Sequence, residues 1–75
     1  MSELNPNAIK TIGDVLPEEI TRVQGIIAMY KSVQNGQFAA ALMQQDIDAA
    51  YKAMMEGDLA GMIAAYQELK EWENE

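Results

Sequence analysis

The sequence predicts an all-α fold, a small domain built from a helical hairpin plus one further helix, and three observations lead there. Apolar residues recur at three- and four-residue spacing through most of the chain, the mark of helices with one face turned to a core. Two glycine-centred breaks, Asn35-Gly36 and Gly57-Asp58, cut that pattern into three helices. A length of 75 residues leaves room for one domain and one core.

Residues 1–14 read as an irregular or short-helical arm, and residues 15–75 as the single helical domain. Within the arm, Asn5 is a candidate N-cap and Pro6 a candidate first helical residue, with Gly13 closing the turn after Ile9 and Ile12. The first firm helix is expected at about 17–34, opened by Pro17, with Glu18 and Glu19 placing negative charge at its positive end. Ile20, Val23, Ile27 and Tyr30 form its apolar stripe, Ile26 and Val33 widen it, and Asn35-Gly36 stops it.

A second helix is expected at 37–56 and carries two stripes. Met43, Ile47, Ala50 and Met54 make one; Phe38, Leu42, Ala49 and Ala53 make another, more than about 90° around the axis by the 3.6-residue period. Two apolar faces call for cover on two sides, so this helix should be the central one. The third helix, about 58–72, follows with almost no loop: Gly57 closes one helix, Asp58 caps the next, and the pair should form an antiparallel hairpin. Leu59, Met62, Ile63, Tyr66 and Leu69 make its apolar face. Acids in the tail from Glu71 to Glu75, around Trp72, oppose the helix dipole and should fray the last turn.

A chain this short buries only about 60% of the surface its unfolded form exposes, and such domains lean on disulfides, metals or self-association. Cysteine and histidine are both absent, which removes disulfides and the ligands that zinc prefers. No cofactor or metal is therefore expected, and a homo-oligomer is. The first ten residues, MSELNPNAIK, lack the apolar stretch of a signal peptide, and no run approaches the roughly 18 apolar residues that span a bilayer. A soluble protein of the cytoplasm, with no membrane partner, is the expectation. The net charge of −7, with five cations against twelve acids, leaves too few lysines and arginines to neutralise a phosphate backbone, so direct nucleic-acid binding is not expected.

Catalytic chemistry finds little footing. Asp46 and Asp48 are two apart on a helix and point to different sides; Glu56 and Asp58 straddle the turn without the alternating ligands of a calcium loop. No phosphate loop, dinucleotide fingerprint or nucleophile elbow occurs, so no enzyme is expected. Binding residues are better represented. Arg22, the only arginine, lies at the edge of the apolar arc and could hold an anion bidentately, with Tyr30 and Lys31 nearby; the plainer alternative pairs it with Glu18 or Glu19. Ser32 to Gln45 contains no charged residue, whereas the chain from Glu56 onward has six acids and one lysine. Small and methionine side chains suit close, adaptable contacts, so Phe38, Leu42 and Met43 are candidate interface residues, with Trp72 beside them. The same stretch could instead fill the monomer core. Tyr30, Tyr51, Tyr66 and Trp72 could stack on a ring ligand or simply be core.

The two helix starts Gly36-Gln37-Phe38-Ala39 and Gly57-Asp58-Leu59-Ala60 are alike, and Gly57-Asp58 with Ile63 and Tyr66 resembles the second-helix start of a tetratricopeptide repeat over about ten residues, though Met62 replaces the small residue and no second copy recurs near the 34-residue period. The ending GDLAGMIAAYQELKEWE, preceded by LPEE and a helix closing in NG, is similar to short uncharacterised proteins carried by tailed bacteriophages, over most of residues 15–73. That resemblance implies a small accessory protein that blunts a host defence by occupying a host protein or sequestering a signalling nucleotide. Three readings follow: a stoichiometric inhibitor or adaptor of a host protein, an oligomeric sponge for a small anionic or nucleotide signal, and a virion assembly protein.

Overall fold

The computed structural model describes residues 11–73 as three α-helices: α1 (Ile12–Lys31), α2 (Gln37–Glu56) and α3 (Leu59–Lys70). α2 packs on both neighbours, and α1 and α3 also meet, so the helices close a triangular core. Leu16, Ile20, Val23, Ile26 and Ile27 from α1 enter it, with Ala40, Met43, Ile47 and Ala50 from α2 and Ala65 and Leu69 from α3. Every buried side chain among the described residues is apolar. α2 packs on both neighbours as its two stripes called for, but while Met43, Ile47 and Ala50 of the first stripe are sealed, the second has only Ala53 buried, with Leu42 half-buried and Phe38 76% exposed.

α1 begins five residues earlier than Pro17. Thr11 is the N-cap, and both its N–H and its hydroxyl donate to the Asp14 carboxylate, at 3.2 and 3.1 Å, which fixes the first turn. Proline is tolerated inside α1 because the N–H it lacks would have bonded the carbonyl of Gly13, which sits in the exposed first turn within reach of water. Gly13 therefore belongs to the helix and does not end a separate one. The acid that meets the helix terminus is Asp14, while Glu18 and Glu19 stand a turn further in. The expected turn of helix from Asn5 to Gly13 otherwise lies outside the described residues.

The break after α1 also differs in detail. Ser32 closes α1, its hydroxyl donating to the Met29 carbonyl at 2.7 Å, so the helix stops at Lys31 and not at residue 34. The left-handed residue is Asn35, with φ 70°, and Gly36 is an ordinary right-handed N-cap of α2 with φ −89°. The second break follows the expectation: Gly57 is left-handed at φ 66°, and the Asp58 carboxylate accepts the Gly61 N–H at 3.0 Å. α3 stops at Lys70, short of the expected residue 72, yet Trp72 just beyond it is anchored. Its ring packs against the core and its Nε1 donates to Asp46 on α2 at 2.7 Å, so burial and a charge-assisted bond hold the segment that the dipole alone would loosen. Among the described residues no helix is long and apolar enough to cross a membrane.

Candidate functional site

Two hydrogen bonds fix where α3 lies on the α1–α2 hairpin. Arg22 Nη2 donates to the Leu69 carbonyl at 3.0 Å, and Trp72 Nε1 reaches Asp46, so α3 rests on the Arg22 side of α1 and the Asp46 side of α2. Residues four, seven and eleven positions along a helix share a face. Ile26 and Met29 therefore continue the Arg22 face of α1, and Leu42 and Ala39 continue the Asp46 face towards the start of α2, while Phe38, eight positions from Asp46, lies about 80° further round.

α3 has only 12 residues where α1 and α2 have 20 each. At about 1.5 Å per residue it falls about 12 Å short of its neighbours, and it starts from the far end of α2. Among the described residues the two faces thus run on past it without a third helix. Along this shelf Ile26 and Met43 are buried, Tyr30, Ala39 and Leu42 are half-buried and Met29 is exposed, with exposed Val33 just past the end of α1 and exposed Phe38 on the adjoining outer side of α2. Met29 and Val33 are each about half exposed. Apart from Met29 and its floor neighbours on α1, the shelf comes from the charge-free stretch between Ser32 and Gln45.

The structure divides the residues singled out by sequence. Leu42 is half-buried on the shelf, and Phe38 is exposed beside it. Met43 is fully buried, because it shares the stripe of Ile47 and Ala50, so it supports the surface from below and offers nothing to a partner. Trp72 is half-buried at the lower edge, with Asp46, Glu68 and Glu71 around a recess of about 240 Å³. Met29 was not singled out as an interface residue, yet its spacing of seven from Arg22 was the available signal.

The anion-binding candidates do not converge. Arg22 forks onto Glu19 through Nε and Nη2, at 3.0 and 2.6 Å, and caps the end of α3 through the Leu69 carbonyl. Lys31 is nine residues on, half a turn around the axis at about 100° per residue, and so faces the other side of α1. There it lines a shallow cleft of about 500 Å³ with Ile27, Gln37, Ala40, Ala41 and Gln44. Tyr30 contributes to the core edge. The other rings are separately engaged: the Tyr51 hydroxyl accepts from Gln24, and Tyr66 lies under the Lys70 ammonium at 5.5 Å from the ring centre.

Three further carboxylates are individually committed. Asp48 accepts from Gln44 at 2.9 Å, Glu56 pairs with Lys52 at 2.8 Å, and Asp58 caps α3, so Glu56 and Asp58 do not share a site. The Glu56 hydrogen bond, and then its charge, raise the pKa of Lys52 above 10.5. Among the described residues no group of three potential ligands gathers for a metal ion. Compared with protein-family models, curated proteins and solved structures, the chain matches none.

Proposed function

We propose that this is a non-catalytic binding protein that acts stoichiometrically, presenting the shelf of Met29, Val33, Phe38 and Leu42 to a partner protein. The observation that carries the reading is Phe38: an aromatic ring three-quarters exposed, flanking a run of apolar side chains in the longest charge-free stretch of the described chain. Burying such surface is favourable by about 25 cal/mol per Å², and contiguous exposed apolar surface marks an interaction site.

The chemistry of the chain points the same way. Imidazole and thiol are missing, and Asp48, Glu56 and Asp58 are tied into a side-chain hydrogen bond, an ion pair and a helix cap. The resemblance to short proteins of tailed bacteriophages supplies a setting, an accessory protein that occupies a host protein in the host cytoplasm as counter-defence. A sponge for a small anionic or nucleotide signal is less well supported, since Arg22 is spent on Glu19 and Leu69 and Lys31 faces away from it. A virion assembly role would use the same shelf and would place the protein in purified particles.

A photo-crosslinking pair tests the shelf. Full-length protein with benzoylphenylalanine in place of Phe38, irradiated in a bacterial host, should give an adduct of one defined mass. The same group in place of Met55, which is 86% exposed at the other end of α2, should not. Equal adducts at both positions, or none at position 38, would sink the reading.

A further inference from the structure

We infer that the cleft between α1 and α2 around Lys31 is a separate binding site, one that takes a single carboxylate carried on a small apolar body with an N–H beside it. The C-terminal residue of a peptide and a free N-acylated amino acid share that chemistry. The cleft has no residue in common with the shelf, so the inference stands apart from the reading of that surface. Lys31 is its anchor. Among the described residues Arg22 is held by Glu19 and the Leu69 carbonyl, Lys52 by Glu56, and Lys70 by the Tyr66 ring, whereas Lys31 has no partner. Its place in the last turn of α1 offsets the helix dipole, which accounts for a cation there but not for what surrounds it.

The surroundings hold no acid. Although the chain carries −7, the cleft is lined by Ile27, Gln37, Ala40, Ala41 and Gln44 besides Lys31 itself. The Gln37 carboxamide has no partner among the described residues. Gln44 commits its Nε2 to Asp48 at 2.9 Å, which fixes the sense of the amide and leaves its carbonyl oxygen free to accept. An ammonium, an amide donor and a carbonyl acceptor thus line one concavity of about 500 Å³, with Ile27, Ala40 and Ala41 as its apolar wall. A few polar groups on an apolar wall is the make-up of a small-ligand cleft. The ligand follows from the groups. A carboxylate pairs with Lys31 and accepts from Gln37, an adjacent N–H donates to Gln44, and a short side chain lies on the alanines, whose small size leaves the room. A nucleotide fits less well, because one lysine does not balance several phosphate charges.

The probe is N-acetyl-leucine, titrated into isotope-labelled full-length protein and followed by amide shifts in proton–nitrogen correlation spectra. Shifts should gather at Lys31, Gln37, Ala40, Ala41 and Gln44, with a dissociation constant on the order of millimolar because Lys31 is exposed. N-acetyl-leucinamide keeps the body and the N–H but lacks the charge, and should bind roughly fivefold more weakly. Lys31→Met should weaken N-acetyl-leucine to the same degree. Ala41→Leu should abolish binding by filling the cleft, with an unchanged circular dichroism spectrum, and Lys52→Met should leave binding intact. Leucinamide binding as tight as that of the acid would overturn the site, as would undiminished binding to Lys31→Met or shifts confined to other amides. A capped tetrapeptide ending in free leucine separates the two sources. Binding tighter than that of N-acetyl-leucine supports the site as a reader of peptide C-termini, and equal or weaker binding supports it as a site for a free small acid.

Discussion

The two interhelical breaks look alike in sequence, a polar residue paired with glycine, yet glycine is needed at each for a different reason. At the first break the left-handed conformation belongs to Asn35, and Gly36 has an ordinary φ. Gly36 is buried, and a Cβ there would fall inside contact distance of the Tyr30 carbonyl and only 2.7 Å from Val33 Cγ2. At the second break Gly57 carries the left-handed φ itself, and a Cβ would meet nothing within 4 Å. The first glycine is required by close approach, the second by backbone conformation. The first break brings Tyr30 and Val33 hard against the start of α2, and so shapes the tip of the shelf. The second sets only where α3 begins.

Substitutions can break that contrast. Gly36→Ala should be the most damaging, at about 3 kcal/mol, because the obstructing atom is a backbone carbonyl that cannot swing aside. In a domain of this size that lowers the melting temperature by more than about 10 °C in a thermal scan. A loss below about 1 kcal/mol would refute the close-approach account. Gly57→Ala should cost about 1 kcal/mol from the left-handed φ alone. Asp58→Ala should cost a similar amount, about 1 kcal/mol, through the lost N-cap, measured by urea unfolding.

Gly61 sharpens the picture of the second break. A Cβ on Gly61 would lie 2.5 Å from Asp58 Oδ2 and 3.1 Å from Ala53 Cβ. Gly61→Ala should therefore displace the cap, and its cost should shrink by about half in the Asp58→Ala background. Additive losses would show that the contact with Ala53 matters instead. Asn35→Gly should be nearly neutral, within about 0.5 kcal/mol, since asparagine already tolerates the left-handed region and glycine relieves what strain remains.

The smallest effect concerns the helix end beside the second break. Lys52 has a raised folded-state pKa, so its pairing with Glu56 stabilises fully below pH 10.5 and is lost as pH climbs through the raised value. Both side chains are largely exposed, and the effect should be barely detectable as a slight extra fall in melting temperature above pH 10.5, absent in Glu56→Gln.

Much of this was legible in sequence because it is local. Periodicity identified α1, α2 and α3, and the cap chemistry of Gly57-Asp58 placed the second break correctly, since those signals act within a few residues. The start of α1 was missed because Pro17 is a strong opening signal, whereas the Thr11–Asp14 cap is two polar side chains with no proline or glycine to advertise them. The candidate surface was half legible. The absence of charge from Ser32 to Gln45 marked the stretch that holds exposed Phe38 and half-buried Leu42, but periodicity within α2 could not tell which stripe would be sealed.

Only the packing of three helices answered that. α3 ends at Lys70 with Trp72 anchored just beyond it, and Phe38 stays exposed and Leu42 half-buried while Met43, Ile47 and Ala50 are sealed. Arg22 follows the same logic: its charge and position suggested an anion site, and the fold spends it on Glu19 and the last turn of α3. The sequence by itself determined the helices, their breaks and the uncharged span, because each depends on near neighbours. The anchoring of Trp72, its recess with Asp46 and the capping of α3 by Arg22 were decided by tertiary structure, because each joins residues more than twenty positions apart, and the shelf was decided by it too, because its extent depends on how far a short third helix reaches.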